Sequence, residues 1–412
     1  MENPKIRFKG FTKDWEQRKL GEIYGSIGNA FVGTATPYYA EHGHFYLESN
    51  NVKDGQINHN AEIFINDEFY EKQKDKWLHT GDMVMVQSGH VGHAAVIPEE
   101  LDNTAAHALI MFRNPKEEIE PYFLNYEYQT DKAKKQIENI TTGNTIKHIL
   151  ASDMQEFVVD IPKYEEQKVI ASYFCKLDHL ITLHQRKCEQ TKKLKKYMLQ
   201  KMFPRNGAKV PEIRFDGFTY DWEQRKLNEV AEKICVGFVG TCEKFYTDES
   251  GIPMYRTGNL NGLSLNRDDL KYVTNEFHQH NQKSQLKAGD ILIARHGDSG
   301  KAVNYENSEE ANCLNIVIIR PDFKKCNYKF LTNCINSPEC QKHIKSLSAG
   351  STQAVINTSE IEKLGVVIPA NIDEQNRIAR YFSTLDNLIT LHQRKCDELK
   401  KMKKYMLQNM FI

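Results

Sequence analysis

The chain has no Cys-x-x-Cys pair, no long uninterrupted apolar run and no excess of charge of either sign. Each absence removes a class of protein. Nine cysteines, an odd number without paired spacing, fit a reducing compartment better than a disulfide framework, so a cytoplasmic location is expected. Without about 18 consecutive apolar residues no transmembrane helix is expected. The polar start, Met1 to Gly10, does not read as a signal peptide. Lysine plus arginine and aspartate plus glutamate both number 55, so net charge argues neither for nor against nucleic acid. At 412 residues, with 40% hydrophobic and 27% charged content, the composition is globular, with room for roughly two to four domains.

Signs of catalysis are also missing. Gly-x-Ser-x-Gly and His-Glu-x-x-His are absent. So are Asn-Pro-Pro-Tyr and Asp-Pro-Pro-Tyr, which an amino-methyltransferase would need. Gly297–Lys301 hints at a phosphate loop, but Arg295 stands where a glycine should open it and Ala302 where a magnesium-binding Ser or Thr should follow. Pro321-Asp322 lacks the acidic-x-Lys partner of a nuclease site. His42 with His44, and His278 with His280, have no third ligand at sensible spacing and read as surface histidines. The chain is therefore expected not to perform chemistry itself.

What the chain does have is a copy of itself. Leu177–Phe203 returns as Leu385–Phe411, and from Leu177 to Met202, 20 of 26 positions are identical 208 residues later. Neither copy holds a Gly or Pro, so both read as long helices. Phe174, Leu177, Ile181, His184, Cys188, Thr191 and Met198 recur in steps of four and three, the seam of a coiled coil. Phe382, Leu385, Ile389, His392, Cys396, Leu399 and Met406 form a matching seam, and the two helices are expected to pack on each other. Pro4–Glu22 reappears as Pro211–Glu229 with 15 of 19 positions identical. A period of half the chain marks a duplication rather than a solenoid. An antiparallel pair of helices would relate the halves by an internal pseudo-twofold axis.

Between opening and helix the halves diverge but keep their punctuation. Phe31-Val-Gly-Thr34 answers Phe238-Val-Gly-Thr241, Gly81-Asp82 answers Gly289-Asp290, and Thr142-Gly-Asn-Thr145 answers Ala349-Gly-Ser-Thr352. Met83–Val86, Ala94–Ile97, Leu109–Phe112, Ile291–Ala294 and Ile316–Ile319 read as strands between turns. Tyr122–Asn139 and Tyr328–Leu347 read as helices. Pro162 before Glu166-Gln167, and Pro369 before Glu374-Gln375, mark the long-helix starts. The fold class is mixed α/β: a first α+β globule over residues 1–165, a long helix over 166–203, a linker over 204–211, a second globule over 212–372 and a second long helix over 373–412. About 35 helical residues span roughly 50 Å, on the order of one to one and a half turns of duplex DNA. Two unlike readers on one spacer suit a divided target.

A doubled sequence of this kind resembles the specificity subunit of Type I restriction–modification enzymes. The resemblance covers essentially the whole chain. It is carried by Asp14-Trp-Glu-Gln-Arg-Lys-Leu20 and its copy Asp221–Leu227, by Thr142–Thr145, by the two Glu-Gln helix starts, and by Leu-Asp-x-Leu-Ile-Thr-Leu-His-Gln-Arg-Lys-Cys in both helices. It implies two target-recognition domains separated by an antiparallel coiled coil. It further implies double-stranded DNA as ligand, with a bipartite target around a nonspecific spacer. The implied partners are two methyltransferase subunits and, in the full complex, two restriction subunits. S-adenosylmethionine, ATP and magnesium would belong to those partners, with no cofactor in this chain. Ala349-Gly-Ser-Thr352 departs from its counterpart, so that contact should differ between halves.

The loops after the Gly-Asp strands are the first candidates for DNA contact: Gln87, Ser88 and His90 in one half, Arg295, His296, Asp298 and Lys301 in the other. Gln can pair bidentately with adenine and Arg with guanine in the major groove. Asn144, Thr145 and Lys147, with Ser351, Thr352 and Gln353, suit phosphate contact, a helix cap being the plain alternative. Asn51 and Asn259 occupy matching positions where local turn-making competes with base reading. Trp15 and Trp222 fall in the constant part and read as core anchors. The basic run from Arg186 to Lys201, and the milder one from Arg394 to Lys404, could face DNA or an acidic partner. A stand-alone bivalent DNA-binding regulator is the main alternative, and a purely structural coiled-coil adaptor a third. If the helices are the ruler, inserting one heptad into each should lengthen the nonspecific spacer, read by mapping methylated sites, and leave both specific parts unchanged.

Overall fold

The β-branched runs form strands in the computed structural model, which describes residues 3–260, 264–295, 300–348 and 356–412. The chain divides into two units, Met1–His184 with Arg394–Ile412, and Gln185–Gln393. Each unit therefore contains one globule and parts of both long helices.

In unit 1 the central sheet runs Tyr24–Asn29, Leu109–Pro115, Met83–Val86, Ala94–Val96, all antiparallel. Met83–Val86 is buried on both faces, which is why it reads as an unbroken apolar run. Unit 2 repeats the order with Ala231–Val236, Ile316–Pro321, Ile291–Ala294 and Ala302–Asn304. A second four-stranded sheet in each unit includes one parallel pairing, Tyr46-Leu47 on Ala105-Ala106 and Met254–Arg256 on Asn312–Leu314. The sequence places single helices at Tyr122–Asn139 and Tyr328–Leu347, but each is broken. Pro121–Glu127 is followed by Asp131–Ile140, because the Thr130 hydroxyl caps a new helix by accepting from Ala133 N–H at 3.2 Å. Tyr328–Ile335 is followed by Pro338–Ser348, a proline at the first turn.

The constant openings close each globule onto its helices. Glu16–Lys19 pairs antiparallel with Val158–Ile161, the strand leading into the first long helix, Tyr164–Lys201. Glu223–Lys226 pairs likewise with Gly365–Ile368 before the second, Ile372–Met410. The Glu-Gln at each helix start is structural. Arg7 donates two bonds of 2.7 Å to the buried Glu166 carboxylate, and Arg214 donates bonds of 2.7 and 2.8 Å to Glu374. The Gln167 amide accepts from Glu120 N–H and donates to Pro162 O, and Gln375 does the same with Asn327 N–H and Pro369 O.

Within each unit the two long helices run antiparallel. In unit 1 Phe174 lies 5.9 Å from Phe411, and Lys403 pairs with Asp178 at 2.8 Å. In unit 2 Phe382 lies 5.9 Å from Phe203, and Lys195 pairs with Asp386 at 2.5 Å. Phe174, Leu177, Ile181 and Cys188 of the expected seam are buried, as are Phe382, Leu385, Ile389 and Cys396. The helix ends go further than a seam requires. Phe411 sits 6.1 Å from Trp15 and 5.2 Å from Phe123, inside the first globule's core with Leu407 and Met410. Phe203 sits 6.1 Å from Trp222 and 5.6 Å from Phe330, inside the second with Met202. Trp15 and Trp222 are thus core anchors.

Beneath this core Glu127 is buried. One oxygen accepts the Asp160 N–H at 2.9 Å and the other has no partner among the described residues. Burial pushes its carboxyl up to about 8. In the unfolded chain the same group titrates near 4.5, so the folded state holds the extra proton between these values. Stability therefore falls as pH rises from about 4.5 to about 8. Glu127→Gln should raise the unfolding free energy of unit 1 at pH 9, on the order of 3 kcal/mol, and change it little at pH 5, read by thermal melts at the two pH values. Phe411→Ala should cost unit 1 about 3 kcal/mol or more. Hydrogen exchange should then show lost protection around residues 120–128 and none around 327–335.

Candidate nucleic-acid interface

The strand Met83–Val86 delivers Gln87 to the end of the central sheet of unit 1. The chain turns through Gly89 and Gly92, at φ of +80° and +86°, and returns as Ala94–Val96. A side chain at Gly92 would approach Ile137 to 2.8 Å, so the turn packs tightly on the helix behind it. A second loop is laid against the first. Thr142 and His148 exchange backbone hydrogen bonds of 2.9 and 2.8 Å, making a hairpin of residues 142–148. Gly89 N–H donates to Lys147 O at 3.1 Å, and Ile149 N–H donates to Gln87 O at 2.9 Å. Two segments some sixty residues apart thus present Gln87, Ser88, His90, Asn144, Thr145 and Lys147 as one patch. Asn144, Thr145 and Lys147 are exposed on the hairpin and cap no helix.

In unit 2 the strand Ile291–Ala294 delivers Arg295 to the same place. Its carbonyl accepts Ile356 N–H at 3.1 Å, as Gln87 accepts Ile149. The Arg295 Nε is buried without a partner among the described residues. Lys301 is exposed just before the returning strand. His296, Asp298, Ser351, Thr352 and Gln353 lie outside the described residues.

Asn51 and Asn259 are not on this patch. Only 1% and 2% exposed, they clamp their own turns. Asn51 accepts from Glu48 N–H and donates to Asn58 O and Ala61 O; Asn259 accepts from Arg256 N–H and donates to Asn266 O and Asp268 O. With these polar atoms engaged and enclosed, they are turn-makers rather than base readers. His278 likewise corrects the surface reading of the histidine pairs. It is buried, with Nδ1 2.6 Å from Asn312 Oδ1, while His280 contacts the Glu276 carbonyl. Among the described residues no three His, Cys, Asp or Glu side chains cluster as a metal site. All nine cysteines are free thiols, and no described helix is long and apolar enough to cross a membrane.

Beside the patch of unit 1 is a cleft of about 900 Å³. Gly89, His90 and Lys147 form one side, and Lys400, Lys403, Lys404 and Gln408 of the second long helix another. Lys134 joins them against the carboxylates Asp54, Asp131 and Glu138, leaving the lining net positive. Lys403 is held by Asp178, so Lys134, Lys147, Lys400 and Lys404 are the cations not committed to that pair. Burial pushes the His93 imidazole below its ordinary value, against the nearby Asp54. The cleft of unit 2 is smaller, about 400 Å³, and rich in amides: Asn304, Asn307, Asn333, Asn336 and Asn387. The basic runs on the helices were legible in sequence; that one of them lines a cleft beside the candidate loops was not, because it depends on the antiparallel register.

The same frame recurs in known proteins. A model of the Type I restriction modification DNA specificity domain matches residues 12–193 and again 220–401. The Type I restriction enzyme MjaVIII specificity subunit of Methanocaldococcus jannaschii is 22% identical over 96% of this chain and 91% of its own. The putative MjaX specificity subunit of that organism is 24% identical over 96% and 92%. The crystal structure of a Type I restriction-modification S subunit from M. genitalium aligns with TM-score 0.70 at 14% identity, over 100% of this chain and 99% of that one. A chain from a study of type I R-M complex assembly and conformational transition aligns with TM-score 0.53 at 17% identity, over 96% and 97%. These structural likenesses establish the fold. The family match, falling on each half at the spacing of the internal repeat, establishes the rest: the chain belongs to the Type I restriction–modification DNA specificity family and is a specificity subunit.

Proposed function

We propose that each unit reads one half of a bipartite duplex DNA target, with the paired helices setting the spacer and docking methyltransferase subunits. The chain is the noncatalytic recognition component. Two methyltransferase subunits and, in the full assembly, two restriction subunits supply S-adenosylmethionine, ATP and magnesium chemistry in the cytoplasm. The observation that carries this reading is the pair of equivalent sheet-end loops. One frame, built twice, offers Gln87 in one unit and Arg295 in the other, which suits two different sequences read in the same way. Asn144, Thr145, Lys147, Lys134, Lys400 and Lys404 supply phosphate contacts beside Gln87, with Ser88 and His90 at the groove edge. In the second unit Lys301, His296, Asp298, Ser351, Thr352 and Gln353 take the corresponding roles. Gln87→Ala and Arg295→Ala should each relax preference at one half of the target, by about ten- to a hundredfold, and leave the other half intact. Mapping methylated adenines in DNA from cells expressing each variant with its methyltransferase would measure this. Equal loss at both halves would overturn the assignment.

A further inference from the structure

A duplicated chain carries its own comparison. Positions that stayed alike in both halves answer to something both halves share. The openings and long helices stayed alike because they build the same joint in each unit. One other stretch did so with no such reason for all of it. Phe31-Val-Gly-Thr34 and Phe238-Val-Gly-Thr241 are the longest unbroken identity between the openings and the helix starts. Around it, from Ile23 to Ala40, only Ile27 and Tyr39 otherwise match their counterparts, Ile234 and Tyr246.

The fold accounts for half of the motif. Phe31 O accepts Ala108 N–H at 2.9 Å, and Phe238 O accepts Asn315 N–H at 2.9 Å. Each phenylalanine ring meets a buried partner edge-on at 5.0 Å, Phe69 in one unit and Phe277 in the other. A side chain at Gly33 would press on the Phe31 ring at 3.0 Å, and Gly240 adopts a φ of +139°. The valine and threonine serve none of this. Val32 is 60% exposed and Val239 56% exposed, and Thr34 and Thr241 are exposed beside them. One exposed valine is ordinary on a protein surface; the same valine exposed at the same tip of both halves is the observation that asks for a reason. The recognition loops, by contrast, did diverge, from Gln87 to Arg295. The tips therefore face a surface that does not change between the two halves. The DNA backbone is one such surface and the threonine hydroxyls suit it, but a valine methyl group makes no bond to a phosphate. A second protein met once by each unit is the other, and an apolar tip suits it.

We propose that Val32 and Val239 are matched docking contacts for two copies of one partner, the methyltransferase subunit, each seated in an apolar hollow of one copy. The proposal rests on the reading given under Proposed function and adds to it a contact within the divergent globules, apart from the long helices. Val32→Asp, Val239→Asp and the double variant test it. The full chain is mixed with its methyltransferase subunit, and subunit ratios are read by native mass spectrometry across a concentration series. Each single variant should weaken one of two binding events by about tenfold or more, so that complexes with one methyltransferase copy accumulate. The double variant should weaken both. Because both side chains are exposed, unchanged circular dichroism and melting should accompany these losses. A double variant that assembles like wild type overturns the proposal. So does one that assembles like wild type but binds target DNA more weakly, which would place the tips on DNA. A wild-type chain that binds no methyltransferase subunit overturns the underlying reading as well, and is recognised by its independence of the valines.

Discussion

The structure depends on how each opening segment grips two helices at once. In unit 1 Arg7 holds the start of one long helix through Glu166, while the neighbouring Ile6 N–H caps the end of the other through Asn409 O at 2.8 Å. In unit 2 Arg214 holds Glu374, and Ile213 N–H caps Lys201 O at 2.9 Å. Helix ends leave carbonyls without partners, and here a backbone N–H from the opening meets one of them. Two adjacent residues thus tie the first turn of one helix to the last turn of its antiparallel neighbour. This explains why opening and helix stayed alike while the intervening globule drifted. A change in either would loosen one joint.

Around that joint the energetics are divided by chemistry. The buried Arg–Glu pairs and the Asp178–Lys403 and Asp386–Lys195 pairs fix direction and register, since the opposite direction would separate the charges. Net stabilisation by partly buried ion pairs is modest, so most of the holding comes from the aromatic clusters at the helix ends. Register in turn brings Lys400 and Lys404 to the cleft lined by Gly89, His90 and Lys147 of unit 1. A structural choice made in the seam becomes a distribution of charge at the surface where DNA is proposed to lie.

Much of this was legible in the sequence because repetition and periodicity are local signals. The seam residues Phe174, Leu177, Ile181 and Cys188 followed from their spacing, and the sheet-end position of Gln87 followed from the Gly-Asp punctuation. What escaped depends on partners far away in the chain. That Phe411 and Phe203 enter globular cores cannot be read from a heptad, which treats a helix as ending where its repeat ends. Asn51 and Asn259 occupy matching positions where sequence leaves turn-making and base reading in balance; three hydrogen bonds each to their own loops decide for the turn. The break at Thr130 is a cap competing with an otherwise continuous helical pattern, and such competition is decided by tertiary packing. The pairing of residues 142–148 with 87–89 joins segments with no common signal.

The aromatic plug at each helix end also sets an order of events during synthesis. Phe203 leaves the ribosome before Trp222 and Phe330, so the second globule finds its plug already made. The first globule waits for Phe411, 250 residues after its last strand, Val158–Ile161. At about 5–20 residues per second this is some tens of seconds or less with the Trp15, Phe123 and Phe174 face uncovered. The half translated first is the half finished last, and its open aromatic face is the one a nascent-chain chaperone would meet.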